Sequence, residues 1–274
     1  MVCLIDDMAF ASKIFLSLMK IIFMEVTEKY VWSKCLEIQS QDVDSNSLLK
    51  IYSFMCMAQE AAHQHATSLG FGYEVLLKKN LIWVLSRFKA KVSRMPHWQE
   101  KVILKTWHKG ENGIFYLRDY ELLSEKGEIL VAATSSWLIV DINIRKISRA
   151  NDVLKELGAL ESETYKDALP PFVKKILIPE GLSLSYDKKV SYSDIDMNGH
   201  VNNARYSEWI IDALSLQLDF FHTPKRIQNF ELCLNNEAHL DETVSIFLTN
   251  EGSNYYIVGK ENDKVIFQSH IENE

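Results

Sequence analysis

The spacing of hydrophobic and polar positions changes several times along the chain, and the changes predict a mixed α+β protein. In the first half, apolar residues at helical spacing predict a long helix over 47–69, with Ile51, Met55, Ala58 and Ala62 on one stripe. Strand-like apolar runs separated by glycine-containing turns follow the helix, at 81–92, 101–107, 114–123 and 129–141. We therefore expect one helix and several antiparallel strands in this half.

The same order of elements returns in the second half. An extended stretch at 188–192 and a helix at 203–218 precede strand-like runs at 227–234, 243–248, 255–259 and 265–271. Each half has one apolar helix that can cover a face of its sheet. The expected division is an apolar extension (1–23), an N-terminal half (24–147), a connector (148–180) and a C-terminal half (181–274).

Two short echoes align the halves with each other. The segment Asp42-Val43-Asp44-Ser45-Asn46 returns 152 residues later as Asp194-Ile195-Asp196-Met197-Asn198, and residues 92–97 align with 234–239, 142 residues later. These alignments place Leu48 opposite His200, and Met95 opposite Glu237. Because two polar residues of one half are apolar in the other, we expect the first half to line an apolar pocket and the second half to perform chemistry.

The segment 194–203 concentrates polar side chains at a predicted loop-to-helix junction. Helix capping explains Asn202 or Asn203 as well as a chemical role does. It explains His200 less well, because a histidine that follows Asp196 and Asn198 has partners close enough to fix its tautomer. This segment is therefore the first candidate for a reactive site.

Charge and cysteine content restrict the class of protein. A net charge of −7 argues against a nucleic-acid binder, which needs a basic surface. The cysteines are scattered without a CxxC pair, which indicates neither a disulfide framework nor a zinc knuckle and favours a reducing cytoplasm. His63 and His65 lie two residues apart on a predicted helix and point to different sides, so we expect no metal site there and no metal cofactor.

The first 23 residues need separate treatment because residues 8–23 are strongly apolar. Acidic residues precede the run and two lysines interrupt it, and it is shorter than the roughly 20 residues that span a bilayer. We favour an upstream start before Met24, with a peripheral membrane helix as the alternative. No integral membrane segment is expected.

One long motif in the second half is Ser193-Asp194-Ile195-Asp196-Met197-Asn198-Gly199-His200-Val201-Asn202-Asn203, followed by Tyr206 and Trp209. Shorter motifs lie at 70–72, 81–84, 87, 98, 133–137 and 145–148. In these motifs the sequence from Met24 to Glu274 resembles the acyl-acyl-carrier-protein thioesterases of bacteria and plant plastids, which have a tandem double hot-dog fold. The resemblance implies hydrolysis of fatty acyl-acyl-carrier-protein thioesters in fatty acid biosynthesis without a cofactor.

The resemblance also implies the catalytic residues, which fall on Asp196, Asn198, His200 and Glu237. Plant members commonly have a cysteine where this chain has Ala238, so a cysteine nucleophile is not available there. Two routes stay open: water activated by Glu237 or Asp196, and direct attack by the Asp196 carboxylate to give an anhydride. Backbone N–H groups after His200, with the Asn198 amide, are the expected oxyanion donors.

Substrate contacts are expected in two places. The acyl chain should lie beside the first helix, although each of these residues could equally be core: Met55, Met57, Ala58, Ala62 and Trp83. The partner would be an acyl carrier protein bearing a phosphopantetheine-linked chain, and its acidic surface needs a basic patch. The candidates are Lys78, Lys79, Arg87, Lys89, Lys91 and Arg94, of which Arg87, Lys89 and Lys91 share one strand face. A merely solvated strand face is the alternative.

Rival functions are a hot-dog acyl-CoA thioesterase, a hot-dog hydratase and a non-catalytic acyl-binding module. The polar set of the second half counts against the binding module. A further homodimer is compatible with the sequence but not indicated by it.

Overall fold

The computed structural model describes residues 31–157, 166–218 and 227–273, so the apolar extension at 1–23 lies outside the described residues. The first half contains β1 (Trp32–Glu37), α1 (Ile51–Ser68), α2 (Tyr73–Leu77), β2 (Leu81–Val92), β3 (Lys101–Asn112), β4 (Phe115–Ser124), β5 (Ile129–Asp141), β6 (Lys146–Ser148) and α3 (Ala150–Glu156). The second half contains β7 (Ser183–Lys189), α4 (Arg205–Ser215), β8 (Ile227–Leu234), β9 (Thr243–Glu251), β10 (Asn254–Glu261) and β11 (Lys264–Asn273). In the parts described, no helix is long and apolar enough to cross a membrane.

All the strands belong to one antiparallel sheet with the order β1-β3-β4-β5-β2-β8-β11-β10-β9-β7, and β6 pairs with β5. The second half mirrors the first on either side of the β2–β8 pairing, where Lys89 lies opposite Glu231. The predicted α+β class is therefore confirmed, and the architecture is a tandem double hot-dog.

One continuous hydrophobic core joins the two helices to the sheet. Phe54 and Ala58 of α1 are fully buried in it, as are Ile210 and Ala213 of α4. Burying a large apolar side chain contributes roughly 1.5–3 kcal/mol relative to leaving it exposed. The helices start later than predicted, at Ile51 and Arg205, because a loop precedes each one.

Backbone hydrogen bonds confirm the predicted alignment of the halves. Asp44 N–H donates to the Leu48 carbonyl at 2.8 Å, and Asp196 N–H donates to the His200 carbonyl at 2.9 Å. Likewise Leu49 N–H reaches the Pro96 carbonyl at 2.9 Å, and Val201 N–H reaches the Ala238 carbonyl at 3.0 Å. The two loops are thus built on one backbone plan, and residues 152 or 142 positions apart can be compared directly.

The described part of the connector crosses the outer side of the central strands. Arg87 Nε donates to the Lys174 carbonyl at 3.0 Å, and Ser136 Oγ donates to the Phe172 carbonyl at 2.6 Å. Ala168 N–H donates to the Asp119 carboxylate at 2.7 Å, and that buried carboxylate also pairs with Lys109 at 2.9 Å. This part of the sheet face is therefore covered by the chain itself.

Candidate functional site

The segment 195–201 forms a tight loop closed by a bridge between Ile195 and Val201. The Asp196 carboxylate accepts the Asn198 N–H at 2.8 Å, and the Asp196 carbonyl accepts the Gly199 N–H at 3.0 Å. Gly199 has a φ of +79°, a conformation that glycine adopts without steric cost. The Asp-x-Asn-Gly sequence therefore specifies the turn that presents His200.

His200 and Glu237 are in direct contact, with 3.3 Å between Nε2 and Oε2. The two segments are tied together because Val201 N–H donates to the carbonyl of Ala238. The side chains are 23% and 37% exposed, so the pair is open to solvent and substrate. A guanidinium nitrogen of Arg145, from the β5–β6 turn of the first half, lies 3.9 Å from Glu237 Oε2.

The first-half loop separates structural from chemical roles. Asp44 accepts the Asn46 N–H at 2.8 Å, as Asp196 accepts that of Asn198. Both loops therefore contain the same contact between an aspartate carboxylate and a backbone N–H. The His200–Glu237 pair is present in the second half alone, because the matching positions in the first half are Leu48 and Met95.

The backbone donors at the start of α4 differ from the expectation. The N–H groups of Val201, Asn202, Ala204 and Arg205 all donate to protein acceptors, two of them to Asn202 oxygens at 2.9 Å. Asn202 thus stabilises the turn that precedes α4. Between 198 and 205, the N–H groups of His200 and Asn203 have no acceptor among the described residues. These two groups, with the Asn198 side-chain amide, are the remaining candidates for the predicted oxyanion donors.

An open cavity of about 500 Å³ lies between the site loop and the first half. Asp196 and Asn198 form part of its wall, and aromatic side chains of the first half form another part: Phe71, Trp83, Tyr116 and Trp137. Of the four predicted catalytic residues, the structure therefore places two on the cavity wall and the other two in contact with each other on the adjoining segments.

The five predicted acyl-chain residues divide into two groups. Ala62 and Trp83 line the cavity, and Trp83 is fixed by donation from Nε1 to the Phe71 carbonyl at 3.1 Å. Met55 and Ala58 are fully buried in the core, and Met57 packs against it, so these three are not on the cavity wall.

A buried arginine at the cavity is a feature that sequence reasoning missed. Arg118 lies on β4, with Nη1 2.9 Å from His65 Nδ1 and 3.2 Å from Thr106 Oγ1. Burial, with a contribution from Arg118, lowers the pKa of His108 to about 4. His65 points inward while His63 lies on the cavity wall, as their two-residue spacing predicts.

The six predicted carrier-binding residues do not form one free patch. Lys79, Lys89 and Arg94 pair with glutamates at 3.5, 2.7 and 2.6 Å, and Arg87 is held by the connector. Lys78 and Lys91 are exposed and form no ion pair with a carboxylate of the described residues. Positive charge also lies beside the site, since Lys264 Nζ donates to the Glu237 carbonyl at 3.2 Å, near Arg145.

Cys233, the cysteine nearest in sequence to Glu237, is in an environment that disfavours a reactive thiolate. Cys233 is buried against Phe172 and Ile176 of the connector, and burial raises the pKa of its thiol. Ala238, at the position of the plant cysteine, is fully buried. A thiol nucleophile from either position is therefore excluded.

Two mirrored, helix-backed halves of one sheet, with a His–Glu pair in only one of them, define a double hot-dog protein whose halves differ at the candidate site. Two family models match almost all of the described chain: the acyl-ACP thioesterase N-terminal domain over residues 29–157 and the acyl-ACP thioesterase C-terminal domain over residues 180–274. The chain belongs to the acyl-ACP thioesterase family.

Individual relatives agree with this assignment. The chain is 27% identical over 239 residues to oleoyl-acyl carrier protein thioesterase 2, chloroplastic, of Arabidopsis thaliana, covering 79% of this chain and 62% of the relative. It is 31% identical over 205 residues to palmitoyl-acyl carrier protein thioesterase, chloroplastic, of Gossypium hirsutum, covering 70% and 49%. The chain thus spans about half to three-fifths of the length of these curated relatives.

Solved structures show the same fold. An acyl-ACP thioesterase from Bacteroides thetaiotaomicron is 27% identical with a TM-score of 0.78, covering 89% of this chain and 98% of that one. The 12:0-ACP thioesterase from Umbellularia californica has a TM-score of 0.76 at 24% identity, covering 89% and 97%, which speaks to fold alone.

Proposed function

We propose that this protein hydrolyses fatty acyl-acyl-carrier-protein thioesters and releases the free fatty acid. The observation that carries the proposal is the His200–Glu237 contact of 3.3 Å, in a loop whose first-half counterpart has Leu48 and Met95. Proton transfer at a thioester needs such a pair, and a non-catalytic acyl-binding module does not. The names of the curated relatives, which specify acyl carrier protein, support the substrate class.

The proposed reaction uses water as the nucleophile. If His200 Nε2–H donates to Glu237, the tautomer is fixed and Nδ1 becomes the free proton acceptor. The imidazole takes a proton from water as the water oxygen bonds to the thioester carbon, and returns it to the thiolate sulfur as the carbon–sulfur bond breaks.

Attack by Asp196 itself is the less supported route. One of its two carboxylate oxygens, Oδ1, accepts the turn contact from Asn198, and Asp44 makes the same contact in a loop without the polar pair. We assign Asp196 to positioning the water from the cavity wall. The oxyanion would be met by the Asn198 amide and the free N–H groups of His200 and Asn203.

The acyl chain would occupy the cavity, whose wall includes Ala62 and the aromatic side chain of Trp83. We propose that the carrier approaches from the side of Glu237, because Arg145 and Lys264 place positive charge there for the phosphate of the phosphopantetheine arm. A cytoplasmic location stays a proposal based on the unpaired cysteines. A homodimer also stays a prediction, and light scattering of the purified protein would test it.

The experiment is free-thiol release from acyl-carrier protein and acyl-CoA of equal chain length by the wild type, Asp196→Asn and the matched control Asp44→Asn. Asparagine can keep the turn contact in both loops but removes the charge. We expect faster release from the carrier substrate, loss of release in Asp196→Asn and near-normal release in Asp44→Asn.

Other outcomes would contradict parts of the proposal. Higher kcat/KM on acyl-CoA would make the protein an acyl-CoA thioesterase. Tight acyl binding without release from either substrate would make it an acyl-binding module. Equal loss in Asp44→Asn and Asp196→Asn would show that the turn, not the Asp196 charge, is required.

A further inference from the structure

A second histidine stands beside the proposed catalytic pair. The rings of His200 and His239 are nearly perpendicular, with centroids 5.0 Å apart. One ligand atom each from His200, Glu237 and His239 lie within 4.8 Å of one another. The proposed reaction does not use His239, so its position calls for a separate explanation.

His239 is oriented by a carboxylate. Its Nδ1 lies 3.4 Å from Glu242 Oε1, and its backbone N–H donates to Glu242 Oε2 at 2.7 Å. With Nδ1–H directed to Glu242, Nε2 is the nitrogen left with a lone pair. A carboxylate that orients a ligating histidine in this way is the usual outer-shell arrangement at zinc sites.

One of the three ligand distances already suits a small tetrahedral cation. Zinc bonds to histidine nitrogen and carboxylate oxygen at about 2.0–2.2 Å, which places neighbouring ligand atoms about 3.3–3.5 Å apart. His200 Nε2 and Glu237 Oε2 already lie 3.3 Å apart. His239 is 42% exposed, so its ring can close the remaining distance without repacking the core.

We propose that His200, Glu237 and His239 bind Zn²⁺ and that this binding inhibits the enzyme. The inhibition rests on the proposed function, because a metal bound to His200 Nε2 and Glu237 Oε2 breaks the contact that fixes the tautomer of His200 for proton transfer. Two histidines and one glutamate with an open fourth position form a common zinc donor set. Arg145, 3.9 Å from Glu237 and 77% exposed, opposes the cation weakly, so its removal should tighten binding.

The first half contains a matched control. His97 N–H donates to Glu100 Oε2 at 3.0 Å, just as His239 donates to Glu242. The residues that correspond to His200 and Glu237 there are Leu48 and Met95, which offer no nitrogen or oxygen ligand. His97→Ala therefore removes an equivalent histidine without touching the metal site.

The test uses the full chain as wild type, His239→Ala and His97→Ala. Cobalt(II) is added as a spectroscopic probe, and the visible absorption of four-coordinate cobalt is followed as Zn²⁺ displaces it. We expect the signal in wild type and His97→Ala and its loss in His239→Ala. In thiol-release assays, Zn²⁺ should inhibit wild type and His97→Ala, and a chelator should restore their activity. His239→Ala should keep basal activity and should need a Zn²⁺ concentration at least about tenfold higher for the same inhibition.

The proposal is overturned if wild type gives no four-coordinate cobalt spectrum, if His239→Ala binds or responds to the metal like wild type, or if Zn²⁺ activates. Failure of the proposed function would look different: cobalt and zinc would bind as described, but no variant would release thiol under any condition.

Discussion

Converting the second loop into the first should remove catalysis and leave the fold intact. The variants His200→Leu and Glu237→Met install the residues that the first half carries at the matching positions, on a backbone already known to accept them. The side chains are 23% and 37% exposed, and ion pairs of such exposure contribute about 0–1 kcal/mol to stability. Urea unfolding should therefore shift by less than about 1 kcal/mol.

The expected effect on the reaction is several times larger. Positioned acid–base groups contribute about 10²- to 10⁴-fold in rate, which corresponds to about 3–5.5 kcal/mol in the barrier. If the two residues act as a unit, the double variant should lose no more activity than the worse single variant, because removing either partner already disables the pair. Thiol release measured as kcat/KM, with urea unfolding of the same preparations, gives both quantities.

Two results would refute this reasoning. Single variants that keep kcat/KM within about threefold of wild type would show that the pair does not transfer protons. Losses that multiply in the double variant would show that His200 and Glu237 act independently, so the 3.3 Å contact would have no catalytic meaning.

Three further predictions address the cavity, the carrier and pH. Ala62→Leu, on the cavity wall, should shift the preferred acyl chain in substrate profiling to one shorter by about two methylenes, each worth about 0.8 kcal/mol. The control Ala58→Leu, in the core, should lower the free energy of unfolding by about 1–3 kcal/mol and leave the preferred chain length unchanged. Replacing Arg145 and Lys264 by alanine should raise KM for acyl-carrier protein about fivefold at low salt and by less in 0.5 M salt, and equal effects at both salts would contradict a charge-based role. The pKa of His108 is lowered to about 4, below its unfolded value of about 6.5, so its folded form binds fewer protons and stability is lost as pH falls through this window. The loss should reach about 2 kcal/mol between pH 7 and pH 5, and in urea unfolding His108→Leu should lose about 2 kcal/mol less than wild type over the same pH range.

Most of the correct predictions from the sequence depended on the internal repeat. The helices and strands followed from periodicity, and the echo at 42–46 and 194–198 placed the halves in correct register. The site loop was predictable because Asp, Asn and Gly in that order have strong local preferences for a turn. Local turn preferences and the internal repeat therefore predicted the same position for the site loop, and both are properties of the sequence alone.

Long-range packing is what the sequence could not supply. Met55 and Ala58 share a helical stripe with Ala62, but only the position of the sheet decides which of them faces the core and which faces the cavity. The charges on β2 alternate as on a solvated strand, yet the connector and Glu231 of the other half cover two of them. These contacts join residues more than 80 positions apart, beyond the reach of any local pattern.

The asymmetry of the two loops explains why one chain contains two similar halves. Asp44 and Asp196 make the same turn, and His97 and His239 make the same carboxylate contact, so the shared residues account for the shared fold. Only the second loop adds a polar pair, while the first half contributes the aromatic cavity wall and Arg145. A symmetric dimer of either half would have the His–Glu pair twice or not at all. Joining the halves in one chain permits one pocket to lie beside one such pair, which the proposed reaction of a single carrier-bound acyl chain requires.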